Sequence, residues 1–363
     1  MKNIDFIIVG QGLAGSILAY NLLRKGQKVV VIDNYTEGGK KSSSQIAAGV
    51  INPITGMRFV KSWRIDEFLP VARTVYLEIE KVLGIKLWHE RLIIRILRNI
   101  EEENNWLLRS TFPDYKLYFG NTPASVSDGY KANFKPFYAL SEVKNAAQVN
   151  LPALVQAFRN HFEKKQLLLI DNFDAHELSF SDNIITYKDI KASKVIFCEG
   201  VNAINNPYFN YLPFNPDKGE LLLVRIPNLG LNHIFKDKMA IVPLYDTEGG
   251  QKDLYWVGAT NAWNFENDLP DDVNKKLIIN ELNKILNIPF EIIDHLAAVR
   301  PTVKDRRPFL GMHPKFPQLG IFNGFGTKGA SLVPFWAEHF SSFLLEDKPL
   351  DKDVDIQRFR KLT

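Results

Sequence analysis

Three glycines near the start of the chain stand at a spacing that could bind phosphate. Gly10, Gly12 and Gly15 form a G-x-G-x-x-G motif, and Asp33 follows it by roughly twenty residues. Placed between a strand and a helix, the motif lets a pyrophosphate approach the backbone. Gly10 permits the tight turn, Gly12 admits the phosphate, and Gly15 removes a clash between helix and strand. The helix start, with Leu13 and Ala14, offers unpaired N–H groups and a positive dipole end to the anion. Asp33, followed by Asn34, can accept two hydrogen bonds from a ribose diol, and its charge disfavours a 2′-phosphate. The motif predicts a dinucleotide and leaves FAD and NAD both open.

The elements around the motif are legible. Ile4–Val9 reads as a buried parallel strand, Ser16–Lys25 as a helix ended by Gly26, and Lys28–Asp33 as a second buried strand. Ala19 suits close packing of that helix on the sheet. Thr36–Ser44 is rich in Gly, Lys and Ser and predicts a loop. Asp66 is placed to cap a helix whose apolar face carries Phe68, Ala72, Val75, Ile79 and Val82 and which stops at Gly84. Arg91–Leu97 reads as a strand, and residues 110–140 show no clear period. A second amphipathic helix carries Leu151, Leu154, Val155, Phe158 and Phe162, followed by strand Leu167–Asp171, a hairpin over Ser179–Tyr187 and strand Val195–Cys198.

The pattern then changes. Glu220–Ile226, Ala240–Tyr245 and Asp253–Gly258 predict strands of an antiparallel sheet, followed by a helix over Asp272–Leu286. Strand Gly320–Asn323, a glycine loop and helix Leu332–Leu345 close the chain. The fold class is α/β: a Rossmann-like domain with an inserted, mainly antiparallel-sheet α+β domain. Expected boundaries are 1–62, 141–206 and 296–363 for the nucleotide domain, with 63–140 and 207–295 in the other.

Composition excludes several classes of function. The 363 residues carry 45 Lys and Arg against 41 Asp and Glu, a net charge of +4, too mild for a dedicated nucleic-acid binder. A single cysteine, Cys198, excludes a disulfide framework and a thiolate zinc site, and the seven histidines lack metal-ligand spacing. No metal is expected. Phe6–Leu23 is uncharged, but its glycines, Gln11, Ser16 and Asn21 break it as a membrane span, so no membrane association and a cytoplasmic location are expected. There is no G-x-S-x-G elbow, and Gly39-Lys40 lacks the upstream glycine of a P-loop.

Four stretches together make a more specific match. Besides the first motif, Ser42-Ser43-Ser44-Gln45-Ile46-Ala47-Ala48-Gly49 forms a serine and small-residue segment, and Val195-Ile196-Phe197-Cys198-Glu199-Gly200 a strand ending at glycine. Val299-Arg300-Pro301-Thr302 with Pro308-Phe309-Leu310-Gly311, then Asn323-Gly324-Phe325-Gly326-Thr327-Lys328-Gly329, complete the set. The chain resembles the D-amino-acid oxidase-like family of FAD-dependent oxidoreductases. Within it, the resemblance is to glycine and sarcosine oxidases and to the oxidoreductase half of the enzyme that trims carboxymethylaminomethyl-uridine in tRNA.

The resemblance implies FAD as cofactor. Its ligands would include Ser44, Ala47, Ala48 and Gly49 beside the isoalloxazine, Cys198, Glu199 and Gly200 beneath the cofactor, and Gly326, Thr327, Lys328 and Gly329 at its pyrimidine edge. It implies that Arg300 and Lys328 hold a substrate carboxylate, Arg by a planar two-point grip and Lys as a second charge. FAD is expected to be non-covalent, since the R-P-T segment lacks cysteine and Cys198 falls in a buried strand. The implied activity is oxidation of a C–N bond of a small, optionally anionic amine or amino acid. The alternatives are removal of a carboxymethyl group from a modified tRNA uridine, with tRNA as partner, and a flavin-binding protein without turnover. An NAD-dependent dehydrogenase would leave the last glycine loop unexplained. Where many relatives have Asp-Gly, this chain has Asp305-Arg306-Arg307 after Lys304, a basic patch suited to an anionic substrate.

Overall fold

The structure, a computed structural model, describes residues 2–35, 42–120, 132–244, 253–346 and 348–362. Residues 36–41 of the expected Thr36–Ser44 loop, and Tyr245 of the expected Ala240–Tyr245 strand, lie outside the described residues. Among the described residues, no helix is long and apolar enough to cross a membrane.

The first sheet is built on strand Lys2–Val9. Its Ile7, Ile8 and Val9 are buried on both faces, as a central parallel strand requires. Parallel neighbours are Val29–Asp33 on one side and Ile190–Phe197 on the other. Leu168–Ile170 extends the sheet beyond Val29–Asp33, and Leu319–Asn323 pairs in parallel with the end of Ile190–Phe197. The expected hairpin is present as Ser179–Ser181 and Ile184–Tyr187 at the sheet's edge. Helix Leu13–Arg24 packs against the last helix, Gly329–Glu346.

The second sheet joins, in order, Glu291–Arg300, Asp217–Arg225, Leu254–Gly258, Ala240–Pro243, Ile234–Lys236, Trp88–Leu97, Ala139–Val149 and Val50–Ile51. It is antiparallel throughout except where Ile234–Lys236 lies parallel to Trp88–Leu97. The second sheet takes strands from three stretches expected in the nucleotide domain, the first being Val50–Ile51. Residues 141–149 belong to a strand of this second sheet, and so do 296–300, because both strands run on unbroken from the insert.

Three local differences have plain causes. Ser43–Ile46 is a helical turn where a loop was expected, since Gln45 Oε1 accepts the Ser42 N–H at 2.7 Å. The Ile65–Leu83 helix is preceded by Arg64, not capped by Asp66. Arg64 takes a left-handed conformation (φ 46°), and its guanidinium bonds Glu67 and Asp351. The last helix begins at Gly329 rather than Leu332, with Pro334 inside it. Pro334 has no N–H for the Ala330 carbonyl, and the buried Tyr76 hydroxyl donates to that oxygen instead, at 2.9 Å. Phe68 and Trp63 pack on Trp336 beside it, fixing the helix that carries the final glycine loop.

Candidate functional site

A cleft of about 650 Å³ opens at the carboxyl ends of the parallel strands, where open α/β sheets bind ligands. Its wall brings together residues far apart in sequence: Gly10, Gly12, Leu13, Ala14, Asp33, Asn34, Ser44, Cys198, Glu199, Gly200, Gly326 and Gly329. Gly15, Ala47, Ala48, Gly49, Thr327, Lys328 and Arg300 do not line it.

The three motif glycines divide by what a side chain would meet. At Gly10 the backbone has φ +99°, and a Cβ would stand 2.6 Å from the Cys198 carbonyl oxygen. At Gly15 it would stand 1.9 Å from the Gly10 oxygen. Both glycines are demanded by the protein's own backbone. At Gly12 a Cβ would meet only Ser44 Oγ, at 3.5 Å, an ordinary contact. The fold tolerates a methyl group there; a phosphate drawn up to the backbone would not. Ser44 Oγ accepts the Leu13 N–H at 3.2 Å, while the N–H groups of Gly12 and Ala14 have no acceptor in the protein among the described residues. These are the features of an anion cradle, and they fit the pyrophosphate of FAD.

Asp33 is more occupied than the sequence suggests. Its carboxylate accepts from the Gln11 N–H at 2.7 Å, the Tyr35 N–H at 2.9 Å and Arg159 Nη1 at 3.3 Å. With three of about four acceptor positions taken, it has room for one ribose hydroxyl rather than two. Arg159 is the residue that sequence reading missed. It is 6% exposed, bonds the Gln11 side chain and the Tyr35 carbonyl, and stacks on the Tyr35 ring. A signal existed: Arg159 lies one turn beyond Val155 and two beyond Leu151, a charge on the apolar stripe of its helix.

Across the cleft, Cys198 and Glu199 follow strand Ile190–Phe197. Burial pushes the Cys198 thiol well up, so it is a packing residue and no thiolate nucleophile. Burial also raises the Glu199 carboxyl to about 7, against the opposing hydrogen bond that its Oε2 accepts from Asn206 Nδ2 at 2.8 Å. The last helix faces the same cleft with its N-terminus. A Cβ on Gly329 would lie 3.2 Å from Leu13 Cδ2, so the two helix starts adjoin.

In the 42–49 segment, Gly49 is required by the protein's own backbone. Its φ is +69°, and a Cβ would lie 1.8 Å from the Val149 oxygen, so this glycine admits strand Ala139–Val149. Ala48 is buried in the main apolar core. Trp256, on the second sheet, donates its indole N–H to the Ile46 carbonyl at 2.9 Å and ties that sheet to the cleft-lining turn.

Arg300 makes its contacts within the second sheet. Its Nη1 donates to Asp217 Oδ2 at 2.7 Å and also reaches the Thr260 carbonyl and Asn261 Oδ1. The guanidinium lies across Gly219, where a Cβ would come within 1.9 Å of Nη2. Arg300 therefore bridges two strands at their register pair. Lys328 Nζ turns to Ser62 Oγ at 3.3 Å. Burial lowers its pKa, and the neighbouring Arg306 and Arg307 charges lower it further. Arg307 in turn lies 4.0 Å from the centre of the Trp63 ring. Among the described residues, no three His, Cys, Asp or Glu side chains gather to hold a metal ion.

The comparisons agree with this geometry. The family model described as FAD dependent oxidoreductase (DAO) matches residues 5–342. A glycine oxidase of Bacillus licheniformis is 24% identical over 372 residues, covering 95% of this chain and 94% of that one. The crystal structure of glycine oxidase from Geobacillus kaustophilus has a TM-score of 0.80 at 18% identity, over 99% of this chain and 98% of that chain. L-amino acid deaminase from Proteus vulgaris gives 0.74 at 14% identity, over 97% and 96%. With its glycine cradle, its acid at the end of the second strand and a family match spanning nearly its whole length, the chain belongs to the DAO family of FAD-dependent oxidoreductases.

Proposed function

We propose that the protein oxidises the C–N bond of a small amine or amino acid that carries an anionic group. The observation that carries this reading is the full-length similarity to a glycine oxidase, joined to a cleft with a phosphate cradle at one helix start and a second helix start beside it. Gly12 and Ala14 would hold the pyrophosphate by their N–H groups, and Asp33 would take a ribose hydroxyl. Bound FAD supplies the two-electron acceptor that the amine carbon needs. The helix that starts at Gly329 places its positive dipole end on the cleft, which favours negative charge there. We assign the substrate's carboxylate to Lys328, a half-buried side chain that feels the Arg306 and Arg307 charges and makes no ion pair among the described residues. An anion would relieve that repulsion and fix the reacting carbon.

A second reading has one observation behind it. Lys304 and Arg306 are exposed, and the only acid between them, Asp305, is held by Arg358 Nε at 2.9 Å. The patch fits the phosphates of a tRNA carrying a carboxymethylated uridine. The test is an anaerobic screen of amines and of unmodified tRNA against the yellow holoprotein. Bleaching by a small amino acid supports the first reading. Tight, salt-sensitive tRNA binding without bleaching by free amines supports the second. Failure of every amine to reduce the flavin, together with absence of tRNA binding, identifies a binding protein without turnover.

A further inference from the structure

Two cations on the second sheet, Lys236 and Arg95, stand side by side without a direct ion pair among the described residues. Lys236 and Arg95 are register partners on the parallel strands Ile234–Lys236 and Trp88–Leu97, one strand spacing apart, about 4.8 Å between backbones. Alternation puts both on the same face. Ile93, Leu97 and Ile234 pack in the main core with Val242, and Trp256 packs against it, whereas Ile94 and Phe235 belong to the cluster behind the sheet. Arg95 and Lys236 therefore share the face of Trp256, the residue tied to the cleft-lining turn at Ile46.

Neither side chain makes an ion pair among the described residues, although Asp237 acts on both from a distance and Glu102 on Arg95. The Arg95 guanidinium makes no hydrogen bond among the described residues and lies 4.5 Å from the centre of the buried Phe59 ring. Among the described residues, Lys236 Nζ donates only to the Lys238 carbonyl, at 3.1 Å. The two nearby acids belong to Arg98: Asp237 takes its Nε at 2.9 Å, and Glu102 takes its backbone N–H at 2.9 Å. Like charges directly opposite in a sheet repel. Burial and the neighbouring Arg95 push the Lys236 ammonium down to about 8. Phe59, which Arg95 covers, is three residues from Ser62, the partner of Lys328, so one short segment touches both cationic groups.

We propose that Arg95 and Lys236 form a second oxyanion site, which takes a phosphate or carboxylate of the substrate at the end remote from the reacting C–N bond. Arg supplies a planar fork and Lys a mobile point charge, a pairing suited to a tetrahedral or planar oxyanion. From Trp256, Lys236 is two strand spacings away, roughly 10 Å, and Arg95 three, both two residues further along. An oxyanion there selects an elongated substrate with an anionic tail over a minimal amino acid. The inference rests on the oxidoreductase reading for the nature of its ligand, but the site itself is testable without turnover.

The probes are inorganic phosphate and malonate, titrated calorimetrically into the holoprotein against chloride at matched ionic strength. Saturable binding of phosphate or malonate is expected, weakened about tenfold or more in Arg95→Gln and Lys236→Gln through loss of a charge-assisted contact. The tighter of the two probes identifies the tail as phosphate or carboxylate. Without added oxyanion, both variants should melt at or above the wild-type temperature, because each removes repulsion. Absence of binding in the wild type, equal affinity in the variants, or variants that melt well below wild type would each overturn the site. A holoprotein that is reduced by amines yet binds neither probe keeps the oxidoreductase reading and loses this one.

Discussion

Arg300 Nη1 and Asp217 Oδ2 lie 2.7 Å apart at a register pair joining strands Asp217–Arg225 and Glu291–Arg300. Asp217 is 3% exposed, so this is a near-buried charge pair at the base of the second sheet. Arg300→Ala is expected to destabilise the protein by about 3 kcal/mol, the lower end for a broken buried pair, since Asp217 keeps the Ala262 N–H. Denaturant melts measure this directly. Flavin reduction by amines with and without a carboxylate should slow by the same factor. A loss confined to the carboxylate-bearing amine would return Arg300 to the substrate.

The glycines predict a contrast within one motif. Gly12→Ala should fold with wild-type stability and bind FAD at least tenfold more weakly, because its methyl group points into the phosphate's space. Gly15→Ala should lose the fold, since its Cβ would overlap the Gly10 oxygen. Circular dichroism of apoprotein and fluorescence titration with FAD separate the two effects. Equal FAD affinity in Gly12→Ala would reduce the motif to a structural turn.

That contrast marks how far the sequence could be read. The strand–glycine–helix–strand unit was legible because its period, cap and terminal acid are all local. Strands Asp217–Arg225 and Leu254–Gly258 were legible from their turns and apolar runs. The role of Arg300 was not, because its partners Asp217 and Thr260 are distant in sequence and only sheet register brings them together. Arg159 was hidden for a related reason: its partner Asp33 sits on another element, and only the position of a charge on an apolar stripe hinted at it. The membership of residues 141–149 was obscured because strand Ala139–Val149 runs straight into helix Leu151–Lys164, with no turn signal to mark a boundary.

Glu199 predicts a pH dependence with a definite sign. Burial raises its folded-state pKa to about 7, above an unfolded value of about 4.3. The contribution is fully present below the unfolded pKa and is lost as pH rises through about 7. Apoprotein stability should therefore fall between those values, and Glu199→Gln should flatten the fall. A wild-type profile unchanged by that substitution would show that the carboxyl ionises freely in the folded state.

Tyr76 predicts a cost at the last helix. Tyr76→Phe leaves the Ala330 carbonyl without a donor in a buried setting, next to the Pro334 that cannot supply one. The expected loss is about 1–3 kcal/mol, read from chemical denaturation. No loss would mean that water or a shifted helix satisfies the carbonyl.

The central claim is that this cleft holds FAD non-covalently and presents it to an amine. The most direct measurement is the absorption of the purified, FAD-loaded protein near ~450 nm, a band that belongs to the flavin, followed without oxygen while small amines and amino acids are added. The account predicts a yellow protein whose band is bleached by at least one anionic amine and whose flavin is released by acid. A protein that takes up no FAD, or whose band is bleached by dithionite but by none of the amines, would contradict it.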